Sequence, residues 1–151
     1  NLLVPYLVSD GTYDTGIVVA NTTLDPWSGS GGAVGTAGAI TLTFYPRTAT
    51  GIGTSFALTT SATAKPGVGL DATGQLVAGG TWSVLLTELM TAASQASTVF
   101  TGYVFLQTDF LLAHGISFVS DFTGPFTSFS PMMTLEQTEV TARTGFESLS
   151  F

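Results

Sequence analysis

Cysteine is absent from this chain. That excludes a disulfide scaffold, thiol catalysis and a cysteine zinc site. Charge is nearly absent too: 9% of residues are charged, against roughly 25% in an ordinary soluble domain. Positive charge is the scarcest, carried by Arg47, Lys65 and Arg143 alone, and the net charge is -7. A chain of that sign, with an isoelectric point of about 4.1, is unsuited to nucleic acid or an anionic membrane, because neutralising phosphates requires Lys and Arg. Histidine occurs once, as His114. No apolar run approaches the ~20 residues that a membrane-spanning helix needs.

What is there is hydrophobic and finely divided. Apolar residues make up 44% of the chain, and the mean hydropathy is +0.45. Thr, Val, Ile and Phe recur in short runs punctuated by Gly, Pro, Asp and Ser, the grammar of strands and turns. Leu2 to Val8 is an apolar run broken by Pro5, which lacks a backbone donor and marks an edge strand or one paired on one side. Gly16 to Thr23 reads as a strong strand. Ile40 to Tyr45 alternates cleanly, and Ser55 to Thr60 is the next strand.

Gln75 to Leu86 reads as two short strands around Gly79-Gly80. Leu85 to Ala93 is the one helical stretch, with Leu86, Leu89 and Met90 inward. Val99 to Asp109 and Ala113 to Asp121 are expected to pair as antiparallel neighbours. Phe122 to Ser130 reads as an aromatic loop, and Met132 to Thr141 and Phe146 to Phe151 as late strands. About nine short strands at this spacing predict an all-β fold. The expectation is a single antiparallel β-sandwich, immunoglobulin-like or jelly-roll-like, with one short helix. Residues 1–151 form one domain, with 1–9 a candidate exchanged or donated strand. The chain opens on Asn1 rather than Met, so a processed, secreted protein is expected.

Asp14-Thr15-Gly16-Ile17-Val18-Val19-Ala20-Asn21 carries a pattern TGI-x-x-x-N. Leu42-Thr43-Phe44-Tyr45, Leu76 to Thr81, Phe100 to Val104 and Ala113 to Asp121 (AHG-x-x-F-x-SD) follow in order. In these pieces the chain resembles a family of uncharacterised secreted bacterial immunoglobulin-like β-sandwich domains. The resemblance spans most of residues 1–121. It implies an extracellular sandwich and transfers no catalytic residue. The tail after Asp121 departs from the pattern, so its strands are candidates for assembly.

Chemistry is thinly represented. His114 lies between Asp109 and Asp121 in sequence, with Ser117 and Ser120 nearby. A metal or acid-base role needs a further converging group, and a turn-capping role needs none. Ser117 has no nucleophile elbow around it. Asp10, Asp14 and Asp25 could offer oxygens to calcium, but their spacing is far from the EF-hand loop, and Asp in turns commonly bonds its own backbone. The Gly-rich stretch 29–38 lacks the G-K-[ST] ending of a phosphate loop. Glu136 and Glu139 would face opposite sides of a strand, a poor acid/base pair. No enzyme and no cofactor is expected.

Asn21-Thr22-Thr23 is an N-glycosylation sequon, and the many Thr and Ser are candidates for O-glycans. Trp27, Tyr13, Phe122, Phe126 and Phe129 fall in predicted loops, where they either roof the sandwich ends or stack on sugars. These features lead to one expectation and one alternative. The expectation is a structural subunit of an extracellular filament, sheath or surface layer. It would self-assemble by β-strand addition, with Leu2, Leu3, Val4, Tyr6 and Val8 as the donated residues. Its partner is a further copy of the chain, with glycans as candidate additions. The alternative is an extracellular adhesin or carbohydrate-binding module that uses the loop aromatics.

Overall fold

A computed structural model describes residues 1–26, 32–95, 99–122, 124, 127–131 and 133–134. Among the described residues the backbone forms ten strands and one helix. They are β1 (Leu2–Ser9), β2 (Asp14–Asn21), β3 (Ile40–Thr48), β4 (Gly51–Ile52), β5 (Phe56–Thr59), β6 (Thr81–Leu85), α1 (Leu86–Ala92), β7 (Phe100–Thr108), β8 (Ala113–Ser120), β9 (Thr127–Pro131) and β10 (Met133–Thr134). Two antiparallel sheets pack face to face. One runs β10-β1-β7-β3-β4, with β5 also on β3, and the other runs β6-β2-β8-β9. The fold is the expected all-β sandwich.

Alternation builds the interior. Leu2 and Val4, Ile17 and Val19, Ile40, Leu42 and Phe44, Trp82 and Val84, and Val104 and Leu106 all point between the sheets and are buried. Each such side chain contributes about 1.5–3 kcal/mol on burial. Phe44 stacks on Phe56 at 4.8 Å, and Phe100 meets both rings edge-on. Trp82 is fully buried, and its indole N–H donates to the Pro66 carbonyl at 2.8 Å.

The helix follows the expected pattern, with Leu86, Leu89 and Met90 buried. Glu88 Oε2 accepts from the Leu85 N–H at 2.8 Å. That is half of a capping box, since Leu85 has no side-chain oxygen to return the bond. The helix ends at Ala92, and two residues on Ser94 turns away with a left-handed φ of 59°.

Three expectations are corrected. β7 and β8 are not hairpin partners: β7 pairs with β1 and β3, β8 with β2 and β9. The reason lies in the link between them. Phe110 drops into the core, Thr108 Oγ1 donates to its carbonyl at 2.7 Å, and Leu112 turns at φ 55°, so the chain passes to the other sheet. Gln75 to Gly80 contributes one bridge, Gly38 to Leu76, and no strand. The Phe122 to Ser130 stretch contains β9 instead of being all loop. Of the late strands, Met133–Thr134 pairs with Leu2–Leu3. Residues 135–151, including Glu136, Glu139 and the strand expected from Phe146 to Phe151, lie outside the described residues.

Candidate assembly surfaces

The first strand shows how one proline redirects a surface. β1 pairs with β7 from Leu2↔Leu106 to Val4↔Val104, and then resumes at Leu7↔Gly102. Pro5 and Tyr6 therefore oppose the single residue Tyr103, which is a β-bulge. Simple alternation puts Leu2, Val4, Tyr6 and Val8 on one face. The bulge reverses it: Leu7 enters the core, while Tyr6 is 53% exposed. The core-filling set of β1 is Leu2, Val4 and Leu7. Leu3 is half-buried opposite Phe105, and Val8, paired with Thr101, is buried as well.

On its other side β1 meets β10 only at Leu2 and Leu3. Val8 is held instead by a side chain. The Thr15 hydroxyl on β2 accepts from the Val8 N–H and donates to the Val8 C=O, both at 2.9 Å. Thr15 is fully buried. The turn joining β1 to β2 is equally well bonded. Asp10 Oδ1 accepts from the backbone N–H groups of Thr12 and Tyr13, and the Asp10 N–H donates to the Tyr13 carbonyl. Those N–H groups, Tyr13 foremost, hold the Asp10 carboxyl below the usual carboxylate range. So the segment proposed for donation is tied into its own domain at three places.

Charge placement is the second feature. Among the described residues Asp10, Asp25, Lys65, Asp71, Asp109 and Asp121 lie between elements, and Glu88 is on the helix. Asp14 opens β2 and Arg47 is next to last in β3. The middle of every described strand is free of Asp, Glu, Lys and Arg. On the β2 sheet, Ser83, Val18 and Ile116 form one outward row, bridged to Val68 at the edge, and Ile116 is 43% exposed. In the next row the Phe118 ring covers Gly16 so closely that a Cβ there would enter the ring. On the β1 sheet, Tyr45 stacks on Tyr103 at 4.9 Å with Phe105 edge-on to both.

The other candidates resolve into structural roles. Asn21 is fully buried. Its Nδ2 donates to the carbonyls of Thr36 (2.7 Å) and Leu76 (3.0 Å), and its Oδ1 accepts from the N–H and hydroxyl of Thr23. Both amide hydrogens are taken up inside the fold, so Asn21 serves the folded chain as a core hydrogen-bond hub. Asp14 opens β2 and Asp25 lies beyond its far end, with the whole strand, about 24 Å at ~3.4 Å per residue, between them. Asp14 bonds Thr15 and Thr87, and Asp25 bonds the Ala33 N–H. No three His, Asp or Glu side chains converge among the described residues. His114 is exposed at the start of β8 beside Ala20, and Asp121 follows that strand's far end. A shallow cleft of about 370 Å³ is lined by Thr63, Lys65, Pro66, Glu88 and Thr91.

Of the loop aromatics, Tyr13 and Phe122 are exposed and flank the Asp14↔Ser120 pair at one end of the β2 sheet. Phe129 lies in β9, opposite Phe118. Trp27 and Phe126 lie outside the described residues. Sequence reasoning missed Thr15 and Tyr103; the bulge that exposes their roles is signalled only by Pro5. Among the described residues no helix is long and apolar enough to cross a membrane. No family model, curated protein or solved structure matches this chain.

Proposed function

We propose that this chain is a structural subunit of an extracellular filament, sheath or surface layer that assembles with copies of itself. One observation carries the reading: among the described residues charge is confined to loops, strand ends and the helix, leaving the middle of both sheet faces uncharged. Isolated domains intersperse charges over their surfaces and guard sheet edges with Lys. Faces without them are suited to a neighbour of the same kind, while the acidic loops keep the subunits soluble before assembly. The extracellular placement rests on the Thr- and Ser-rich, lysine-poor composition.

Two routes to assembly differ in what β1 does. Folded subunits can pack by their sheet faces, or β1 can leave its domain and complete the next one by strand addition. A covalent lock separates them. Thr15 takes both polar groups of Val8, so the Val8↔Thr101 pair faces β7 without ladder bonds, the closer type of cross-strand pair. Val8→Cys with Thr101→Cys suits a disulfide, and no native cysteine competes. Electron microscopy at neutral pH is expected to show regular filaments or layers from the native chain. Assembly by the oxidised variant favours face packing; assembly only after reduction favours strand addition. Monodisperse particles under all conditions would overturn the proposal.

A second reading is favoured by the exposure of Tyr13 and Phe122 at the same end of the β2 sheet: a carbohydrate-binding module or adhesin. Its test is a glycan array, with Tyr13→Ala and Phe122→Ala expected to abolish any signal.

A further inference from the structure

The chain contains four tyrosines, and three of them share one row of one sheet. Tyr45 on β3 is directly opposite Tyr103 on β7. Tyr6 sits in the bulge of β1 that faces Tyr103 from the other side. Tyr45 and Tyr103 are stacked, with ring centroids 4.9 Å apart and planes within 6° of parallel. Phe105 stands edge-on to each at 5.8 Å and holds the pair in place. Both phenols lie on the outward face and are half-buried, so they are ordered yet reachable. The stacking also uses the inner face of each ring, which makes this row a poor platform for a sugar.

We propose that Tyr45 and Tyr103 form an oxidative cross-linking site, joined as dityrosine by a one-electron oxidant of the haem peroxidase class with hydrogen peroxide. Each phenol gives up one electron and one proton. The two phenoxyl radicals couple through their ortho carbons, forming one C–C bond. Both rings then regain aromaticity as the ortho hydrogens move to the oxygens. Overall the two phenols lose two hydrogens, and one peroxide becomes two waters. Radical coupling in solution waits on a chance encounter. Here the partners are already in contact, which is the advantage of positioning two reacting groups in advance. No thiol is present to quench the radical, since the chain has no cysteine. The product ties β3 to β7, the two longest neighbours of that sheet.

The experiment is peroxidase and peroxide treatment of the dilute, full-length chain. The expected product is a monomer lighter by two hydrogens, with dityrosine fluorescence and a raised melting temperature. Tryptic cleavage after Arg47 puts Tyr45 and Tyr103 in different peptides, so the link is read by mass spectrometry. Tyr45→Phe and Tyr103→Phe keep the ring stack and should each reduce the intrachain product at least tenfold. Tyr13→Phe, remote in the β1–β2 turn, should leave it unchanged. Oxidation in urea, where the strand register is gone, should lose the product in the native sequence. An intrachain yield that survives either stack variant, or an oxidised chain carrying only interchain links or links through Tyr13, would overturn the proposal.

Discussion

Replacing Asn21 with alanine tests whether the sequon asparagine is a structural hub. Four bonds end on its amide, but their losses differ. The Thr36 carbonyl keeps a second donor in the Thr23 hydroxyl at 3.2 Å, and the Leu76 carbonyl keeps the Gly38 N–H at 3.3 Å. Each of these loses one net hydrogen bond, about 0.5–1.5 kcal/mol. The Thr23 N–H loses the partner it has at 3.2 Å, and an orphaned buried donor costs about 1–3 kcal/mol. The total is about 2–6 kcal/mol, a large share of the roughly 5–15 kcal/mol that holds a domain together. At a urea slope of about 2 kcal/mol/M, the midpoint should fall by roughly 1–3 M. An Asn21→Ala chain within about 0.5 kcal/mol of the parent, inside the ordinary range for surface changes, would refute the accounting. So would a folded chain from a glycosylating host carrying sugar on Asn21; the expected intact mass of the expressed chain is the bare 15.6 kDa.

Thr15→Val keeps the shape and removes the hydroxyl that serves both polar groups of Val8, so chemical denaturation should show a loss of about 2–4 kcal/mol. Thr15→Ser, which keeps both bonds, should lose less than half of that. Gly16→Ala pushes a methyl group into the Phe118 ring and should cost about 1–3 kcal/mol; the same change in a Phe118→Ala background should cost less, and equal costs would show that the ring is not the obstacle. Asp10 and Asp71 are held below their ordinary value of 3.8, chiefly by the N–H groups of Tyr13 and Gln75 respectively. Their folded-state pKa values lie below the unfolded ones, so their stabilisation is present above the unfolded value and lost as pH falls through the folded one. Melting temperature should therefore drop as pH falls below about 4, and Asp10→Asn with Asp71→Asn should flatten that drop.

Periodicity carried the fold far because this sandwich follows it almost everywhere. Ile40, Leu42 and Phe44 alternate inward as they do in the sequence, and the helix buries Leu86, Leu89 and Met90 as its spacing requires. The failures have local causes. Pro5 announces an interrupted strand, but nothing in the sequence says that the interruption is a bulge that puts Leu7 inside and Tyr6 outside. Strand partners are set by where a connection goes. Four residues between β7 and β8 look like a hairpin until Phe110 is seen to plug the core. Asn21 reads as a surface sequon because Asn-x-Thr is a local pattern, while its role depends on carbonyls from Thr36 and Leu76, distant in sequence. The charge-poor composition was legible at once. That the charges among the described residues avoid the strand centres required the register.

Strand addition and face packing can also be weighed on energetic grounds. Moving β1 into a neighbouring copy restores the contacts of Leu2, Val4 and Leu7 and the Thr15–Val8 bonds, so these cancel between the closed and exchanged forms. What does not cancel is the Asp10–Tyr13 turn. Its three hydrogen bonds are lost on opening, at about 0.5–1.5 kcal/mol each, which a high local concentration of subunits can offset. The barrier is another matter. Pulling β1 out of a folded domain exposes three core side chains at about 1.5–3 kcal/mol each, before any new contact forms. An exchanged polymer must therefore be made while β1 is still unpaired, during folding. A polymer grown from folded subunits must use surfaces that exist already, and the uncharged sheet faces are such surfaces.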